Sequence, residues 1–169
     1  MKIATQNQAF FPTAIMEKFE YIKGMGFDGY EIDGRLLVEN LDEVKAAIKA
    51  TGLPVTTACG GYDGWIGDFI EERRLNGLKH VQIIGDFYHM NIEEDSLTEA
   101  LHHNRDLLGH VHIADNHRYQ PGSGSLDFAS LFDQLRADNY QGYVVYECRV
   151  RADDPAQAYK DSLTYLREC

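Results

Sequence analysis

The sequence predicts an α/β fold in which helices cover a parallel sheet. Segments with strand-like and helix-like patterns alternate along the chain and give about six β-α units. Alternation of this kind is typical of parallel sheets with right-handed crossovers. Three of the predicted strands also end in a polar residue of a metal-binding type. Because the C-terminal ends of parallel strands lie along one edge, these residues predict a functional site at that edge.

The first half of the chain contributes three of the predicted strands. Between Pro12 and Met25 we predict an amphipathic helix, because Ile15, Phe19 and Ile22 recur at helical spacing. In order, the predicted elements are the strand KIATQ, this helix, the strand FDGYEID, a helix from Leu41 to Ala50, the strand LPVTTA and a charged helix through Glu71 to Arg74.

The second half repeats the alternation and reveals the two faces of its strands. The predicted elements are VQIIGD, a helix near Glu93 to His103, HVHIAD, a helix near Asp127 to Ala137, GYVVYEC and a helix from Pro155 to Arg167. In HVHIAD, His110 and His112 share one face while Val111 and Ile113 share the other. If the apolar face packs on helices, the polar face points to a common axis.

Asp86, His112 and Glu147 are the candidate metal ligands, each at the C-terminal end of its strand. Taken singly, Asp86 fits a helix cap and His112 fits a satisfied core histidine. Three such groups that converge by the same strand logic are harder to explain as packing, since a buried carboxylate is costly unless it is paired or metal-bound. Together they predict a divalent-cation site with oxygen and nitrogen ligands.

Several residues near this edge have two readings. Trp65 is a candidate substrate contact if it walls an apolar pocket, and otherwise it packs in the core. The turn PGSGS has exposed N–H groups that could hold an anion or sugar hydroxyls, although glycine turns are common without a ligand. Glu31 and Asp33 alternate inward on the second strand, and Asp33 also fits a turn residue before Gly34.

Length, charge and composition exclude several classes of protein. The 169 residues predict one domain, and the formal charge of −11 argues against a nucleic-acid partner. No apolar run approaches the roughly 20 residues of a membrane helix, so no membrane partner is expected. The opening MKIATQNQAF reads as a strand and not as a secretion signal, which predicts a cytoplasmic protein. Cys59, Cys148 and Cys169 have no disulfide or zinc spacing.

The segments GFDGYEI, GDFYHMNIEE, GHVHIADNHRYQPGSGSLDF and GYVVYEC resemble the sugar phosphate isomerase/epimerase family, which has a xylose-isomerase-like TIM barrel, and within it the ketose 3-epimerases. The resemblance covers nearly the whole chain, and its specific part runs from Asp86 to Phe128. It implies a divalent metal (Mn²⁺, Mg²⁺ or Co²⁺) held by Asp86, His112 and Glu147. It also implies that Glu147 is a catalytic base and that His89 and Arg118 contact substrate.

The chain departs from this family pattern in its middle. The strands between the helix near Gly67 and the run NGLKHVQIIGD are missing, apparently an internal deletion of the strand 4–5 region, and with them a glutamate that the family uses as ligand and base. Six strands do not easily close an eight-stranded barrel. We therefore expect a shortened barrel that is either incomplete, with an exposed edge, or completed by a second chain in a homo-oligomer.

These observations predict a metal-dependent isomerase or epimerase of a sugar or sugar phosphate. It would remove the proton next to a carbonyl to form an enediolate, and the missing glutamate would weaken this activity. The alternative is a catalytically silent barrel relic that binds a sugar or a protein partner. A metal-dependent AP endonuclease of the same superfamily would need more ligands and a basic groove, so it is disfavoured.

Overall fold

The computed structural model describes residues 1–59 and 82–169. Within these ranges the strands form one six-stranded sheet. The strands are β1 (Lys2–Thr5), β2 (Gly29–Asp33), β3 (Val55–Cys59), β4 (Ile83–Asp86), β5 (Leu108–Ile113) and β6 (Tyr143–Tyr146). The helices are α1 (Ile15–Met25), α2 (Gly34–Glu39), α3 (Leu41–Thr51), α4 (Phe87–Glu93), α5 (Leu97–His103), α6 (Phe128–Ala137) and α7 (Pro155–Glu168).

The sheet is parallel and has the strand order of a barrel that is open on one side. The order is β3-β2-β1-β6-β5-β4, so the first strand pairs with the last. Within the described ranges, β3 and β4 are the two edge strands. The chain passes from β3 to β4 between Cys59 and Ile83. The prediction of a shortened TIM barrel with about six β-α units is confirmed.

The apolar faces of the strands pack on the helices, as the alternating pattern predicts. Val111 and Ile113 of β5 and Val144 and Tyr146 of β6 are fully buried in the hydrophobic core. Three helices supply much of the apolar surface that covers them, through Phe19 and Ile22 of α1, Phe132 and Leu135 of α6, and Tyr159 and Leu163 of α7. The opposite face of β5 is consequently left for its histidines.

The edge strand β4 keeps apolar surface in solvent. Ile83 is 39% exposed and Ile84 is 57% exposed, and both lie on the strand that borders the opening. On the other edge, Ala58 and Cys59 of β3 are also exposed. An edge strand with exposed apolar side chains and unpaired backbone groups is a site for pairing with another strand.

Two short helices that follow strands were not predicted from the sequence. The Asp33 carboxylate accepts hydrogen bonds from the backbone N–H groups of Arg35 and Leu36 and so starts α2. Asp86 starts α4 in the same way. Both helices are short and carry little apolar periodicity, so their caps define them more clearly than their composition does.

Other predicted boundaries shift by a few residues. The first helix begins at Ile15 and not at Pro12, and the helix predicted near Glu93 to His103 begins at Leu97, after the cap Ser96. The charged helix predicted through Glu71 to Arg74 lies outside the described residues. None of the described helices combines the length and the apolarity that a bilayer-spanning segment requires.

Candidate metal centre

The structure brings the three predicted ligands together. Asp86 ends β4, His112 lies in β5 and Glu147 directly follows β6. Asp86 is the register partner of His112, and His112 is the register partner of Val145. Because strand side chains alternate, Glu147 lies on the same face as Val145 and therefore as His112. One ligand atom from each of the three residues lies within 4.8 Å of the others.

The donor set fits a divalent cation. Nδ1 of His112 lies 3.4 Å from Oε2 of Glu147. Adjacent ligands of a cation with bond lengths of about 2.1 Å lie roughly 3 Å apart, so small side-chain movements suffice to bind one. Two carboxylates and one imidazole are the donors that Mn²⁺, Mg²⁺ and Co²⁺ accept. Asp86, His112 and Glu147 can therefore hold such an ion.

The electrostatics of the cluster depend on His112, which lies between carboxylates on both sides. Burial lowers the pKa of His112, but its hydrogen bonds with Glu147 and Glu31 outweigh burial and raise the pKa to about 9. Conversely, the hydrogen bond with His112 lowers the pKa of Glu147. Burial, together with the nearby Glu147 carboxylate, raises the pKa of Asp86. Without a metal, the imidazolium of His112 thus supplies the positive charge of the cluster.

Glu31 on β2 is a second acidic group in contact with His112. The residue is 4% exposed, and its Oε1 accepts hydrogen bonds from Nε2 of Gln6 at 2.6 Å and from Nε2 of His112 at 3.2 Å. The hydroxyl of Thr57 donates to Oε2. Burial raises the pKa of Glu31, but the contacts with its histidine and polar neighbours outweigh burial and hold the pKa well below its usual range.

His110 also contacts Glu31, but without good hydrogen-bond geometry. Its Nε2 lies 2.8 Å from Oε2 of Glu31, and yet this nitrogen has no well-directed hydrogen bond. The contact is a close polar approach and not a well-formed hydrogen bond, because the distance is short and the alignment is poor. Glu31, His110 and His112 form a second group whose ligand atoms lie within 4.8 Å of one another.

Two of the three predicted substrate contacts, Arg118 and His89, lie beside the cluster. Nη2 of Arg118 is 3.5 Å from Oε1 of Glu147, and its guanidinium lies over the ring of Tyr88 at 5.2 Å. Arg118 has a φ of 63°, a left-handed conformation that is uncommon for residues other than glycine. His89 is more exposed, and its Nε2 lies 3.9 Å from Oδ2 of Asp86. The third predicted contact, Trp65, lies outside the described residues.

The glycine turn that follows Arg118 does not offer its N–H groups to a ligand. The fully buried carboxylate of Asp115 accepts hydrogen bonds from the backbone N–H groups of Gly122 and Gly124 at 2.9 and 2.8 Å, and from Leu126 at 3.2 Å. The hypothesis that this turn holds an anion is therefore wrong for these three groups. Asp115 instead fixes the loop beside the metal cluster.

A cavity lies beside the segments that follow β1 and β6. Its volume is about 480 Å³, and it begins at Cys148, the residue after Glu147. The lining residues are Gln8, Ala9, Phe10, Cys148, Arg149, Val150 and Pro155. Gln8 donates hydrogen bonds from Nε2 to the carbonyl of Cys148 and to the hydroxyl of Tyr159. The cavity thus offers an aromatic ring and polar groups.

Sequence reasoning found the faces of these strands but not all of their contacts. Period-two alternation placed Glu31 and His110 on the inward faces without giving either a role. Gln6, Thr57 and Tyr88 were missed, because each touches the cluster through a strand or helix that is distant in sequence. The inward alternation of Glu31 on β2 was the one signal that could have pointed to this cluster.

Comparison with known families gives one match over more than half of the chain. A sequence model of the family described as "Xylose isomerase-like TIM barrel" matches residues 73–169. Among curated proteins, a 3-dehydro-D-guloside 4-epimerase of Escherichia coli (strain K12) is 54% identical over 262 positions, which cover 100% of both chains. More than a third of those positions hold no residue of this 169-residue chain, as expected for a chain that lacks an internal segment.

A second curated relative is similar over a shorter range. A D-psicose 3-epimerase of Enterocloster bolteae is 44% identical over 80 residues, which are 47% of this chain and 26% of the relative. The chain thus aligns with about a quarter of that protein's length.

Solved structures agree on the fold. The apo crystal structure of 3-keto-D-glucoside 4-epimerase from E. coli superposes with a TM-score of 0.89, at 54% identity and with 100% of both chains covered. A D-psicose 3-epimerase from Clostridium cellulolyticum H10, solved with D-tagatose, gives a TM-score of 0.80 with 99% of both chains covered. At 17% identity this second likeness supports the barrel architecture alone.

Proposed function

The chain belongs to the xylose isomerase-like TIM barrel family, and on this premise we propose that it is a sugar epimerase or isomerase that works with a divalent cation. The observation that carries the proposal is the convergence of Asp86, His112 and Glu147 within 4.8 Å at the C-terminal edge of the sheet. A relative with 54% identity over its whole length is named as an epimerase.

The names of the relatives suggest the reaction that this site would perform. A 4-epimerase of a 3-dehydro sugar inverts the carbon next to the carbonyl, and so does a 3-epimerase of a ketose. Both inversions begin when a base removes the proton from the carbon next to the carbonyl and leaves an enediolate. We therefore propose a keto sugar as substrate, with keto glycosides as the first class to test.

Glu147 is the proposed base. Its carboxylate is 29% exposed, so it is accessible at the edge of the cluster, and its lowered pKa keeps it ionised at neutral pH. When bound, the cation would supply a Lewis acid that makes the neighbouring C–H group more acidic. The guanidinium of Arg118, 3.5 Å from Glu147, stabilises the negative charge that develops on the oxygen of the substrate.

Asp86 and His112 have a different task in this proposal. Asp86 contributes the second carboxylate, and its orientation is fixed because it also caps α4 through the N–H groups of Tyr88 and His89. His112 contributes Nδ1.

The site is incomplete relative to the family pattern. In the described part of the chain, the cluster around Glu147 holds three ligand residues, and the second glutamate that the resemblance implies is not among them. Losing one carboxylate weakens metal binding, and losing one member of a catalytic pair costs several orders of magnitude in rate. We therefore expect weak metal binding and slow proton exchange by a single base.

The experiment is hydrogen exchange in D₂O. The protein is incubated with Mn²⁺ and a panel of ketohexoses and 3-keto glycosides, and deuterium next to the carbonyl is measured by NMR. We expect slow incorporation that Glu147→Gln abolishes and that Glu20→Gln, an exposed control on α1, leaves unchanged. Absence of deuterium with every sugar would defeat the catalytic proposal.

The missing glutamate also favours a second candidate function, a silent barrel that binds a sugar through the retained edge. In that case no deuterium is incorporated, but Mn²⁺ and one of the sugars raise the melting temperature, because a ligand of the folded state stabilises it. If no deuterium is incorporated and no combination of Mn²⁺ and sugar raises the melting temperature, both functions are contradicted.

A further inference from the structure

Glu31 is the most buried acidic group of the site, and the proposed chemistry gives it no part. It is 4% exposed, whereas the side chain of Glu147 is 29% exposed. A charged carboxylate buried to this degree is costly unless its oxygens are satisfied. Three side chains donate hydrogen bonds to it here, and one of them is the predicted metal ligand His112.

Two roles fit a carboxylate at this place. Glu31, His110 and His112 could hold a second cation, since their ligand atoms lie within 4.8 Å. Alternatively, Glu31 could act through His112 on the cation site formed with Asp86 and Glu147. The hydrogen bonds around Glu31 distinguish these roles.

The oxygens of Glu31 are already occupied by donors. Oε1 accepts from Gln6 and His112, and Oε2 accepts from Thr57 and lies 2.8 Å from Nε2 of His110. Three of its about four lone-pair positions accept hydrogen bonds, and Nε2 of His110 lies close to the remaining oxygen surface, which leaves little room for a cation. A second metal ion would have to break contacts that a buried carboxylate needs.

The two ring nitrogens of His112 face opposite ways. Nε2 lies 3.2 Å from Oε1 of Glu31, and Nδ1 lies 3.4 Å from Oε2 of Glu147. An ionised carboxylate only accepts hydrogen bonds, so Nε2 must carry a proton to bond with Glu31. The Nε2–Glu31 contact has hydrogen-bond geometry, whereas the Nδ1–Glu147 contact at 3.4 Å is only a close approach. In neutral His112 this geometry favours the proton on Nε2 and the lone pair on Nδ1, the nitrogen beside the other two ligands.

We propose that Glu31 is a positioning residue that keeps the proton of His112 on Nε2 and thereby presents the Nδ1 lone pair to a cation held with Asp86 and Glu147. A metal-binding histidine commonly donates its other ring N–H to a carboxylate, which fixes the ring and raises its basicity. The proposal rests on the proposed function for the identity of the metal site. Gln6 and Thr57 hold Glu31 in place.

The first test locates the proton by ¹⁵N NMR of histidine-labelled protein. With Mg²⁺ bound, we expect the proton of His112 on Nε2. In metal-free protein with a neutral His112 ring, we expect the proton on Nε2 as well, because Nε2 makes the hydrogen bond with Glu31. A proton on Nδ1 in the metal-free sample overturns the inference whether or not the protein binds metal.

The second test measures Mn²⁺ affinity by calorimetry. Glu31→Met removes the acceptor and should weaken binding about 10- to 100-fold, the range for the loss of such a partner. Glu31→Gln keeps a hydrogen-bond acceptor without the charge, so its Mn²⁺ affinity should lie between that of Glu31→Met and that of the wild type. Glu20→Gln, an exposed change on α1 away from the cluster, is the control and should leave the Mn²⁺ affinity unchanged.

The results separate the possible failures. If wild type binds no Mn²⁺, the proposed function fails, while the proton position in the metal-free protein still tests this inference. If wild type binds one ion and Glu31→Met binds it equally well, the inference fails alone. If wild type binds two ions and Glu31→Met only one, Glu31 is a ligand of the second ion and the positioning role is wrong.

Discussion

Asp86 and His112 lie opposite each other in the parallel pairing of β4 and β5, so their side chains leave the sheet on the same face. This pairing brings a carboxylate and an imidazole together without any contribution from a loop. Strand β6 then adds Glu147 on the other side of His112. The geometry of the cluster is therefore set by the register of the sheet.

Asp86 has two roles that one substitution separates. Asp86→Asn retains an oxygen that can cap α4 but removes the charge that a cation needs. We expect Mn²⁺ affinity to fall at least about tenfold. The unfolding free energy of the metal-free protein should fall by less than about 1 kcal/mol, because asparagine is an equally good cap.

Asp154→Asn is the matched control for this change. Asp154 caps α7 through the N–H of Gln157 and lies outside the ligand cluster. Calorimetric titration with Mn²⁺ and urea unfolding of both variants provide the comparison. Equal metal affinity in Asp86→Asn and Asp154→Asn would show that Asp86 is not a metal ligand.

Metal binding should depend on pH through His112. Its pKa in the folded protein is raised to about 9, and a cation needs the deprotonated Nδ1, so protons compete with the metal below that pH. The apparent affinity should therefore rise by about tenfold per pH unit between pH 7 and pH 9 and level off above pH 9. Each bound ion should release close to one proton at pH 7.

Titrations with Mg²⁺, which stays in solution at alkaline pH, at pH 7, 8 and 9.5 measure this dependence. Repeating them in two buffers of different ionisation enthalpy counts the released protons. An affinity that does not change over this range would mean that His112 is not a ligand or is not protonated in the free protein.

Asp115 should stabilise the loop beside the cluster more than any exposed acidic residue does. Its Oδ1 accepts from the N–H groups of Asn116 and Leu126, and its Oδ2 accepts from Gly122 and Gly124. In Asp115→Asn, one oxygen becomes an NH₂ group that faces two N–H donors. We expect a loss of about 3 to 5 kcal/mol in the free energy of unfolding.

Urea unfolding at neutral pH measures this loss. Asp133→Asn, an exposed carboxylate paired with Arg136, is the control and should cost at most about 1 kcal/mol. Similar small effects for both variants would show that water replaces the carboxylate in the loop.

The exposed edge of β4 should mediate self-association. Ile84 is 57% exposed on the edge strand, and strand edges with apolar side chains pair with one another. We expect light scattering to give at least the molar mass of a dimer, and Ile84→Lys to shift the protein towards monomer. Ile92→Lys changes an equally exposed isoleucine on α4, away from the strand edge, and should not.

Wild-type protein that is monomeric at every concentration would contradict this expectation. Equal dissociation by Ile84→Lys and Ile92→Lys would show that the association uses another surface. Either outcome would mean that the edge of β4, as the described part of the chain shows it, does not pair with another copy.

Local sequence patterns determined the alternation of strands and helices and the inward faces of the strands. These features depend on neighbouring residues, through the periods of 2 and 3.6, and so they can be read without knowing the fold. The convergence of Asp86, His112 and Glu147 followed from one further rule, that parallel strands end on the same edge. The positions of these three residues in the structure agree with that reasoning.

Only the tertiary structure decided which other groups surround the ligands. Glu31 contacts His112 although their strands are not neighbours in the sheet. Asp115 accepts hydrogen bonds from backbone N–H groups of the turn that the sequence predicted as an anion site. The sequence by itself determined which residues face inward at the end of each strand. The fold decided which of them touch, because such contacts depend on sheet curvature and side-chain reach between segments far apart in the chain.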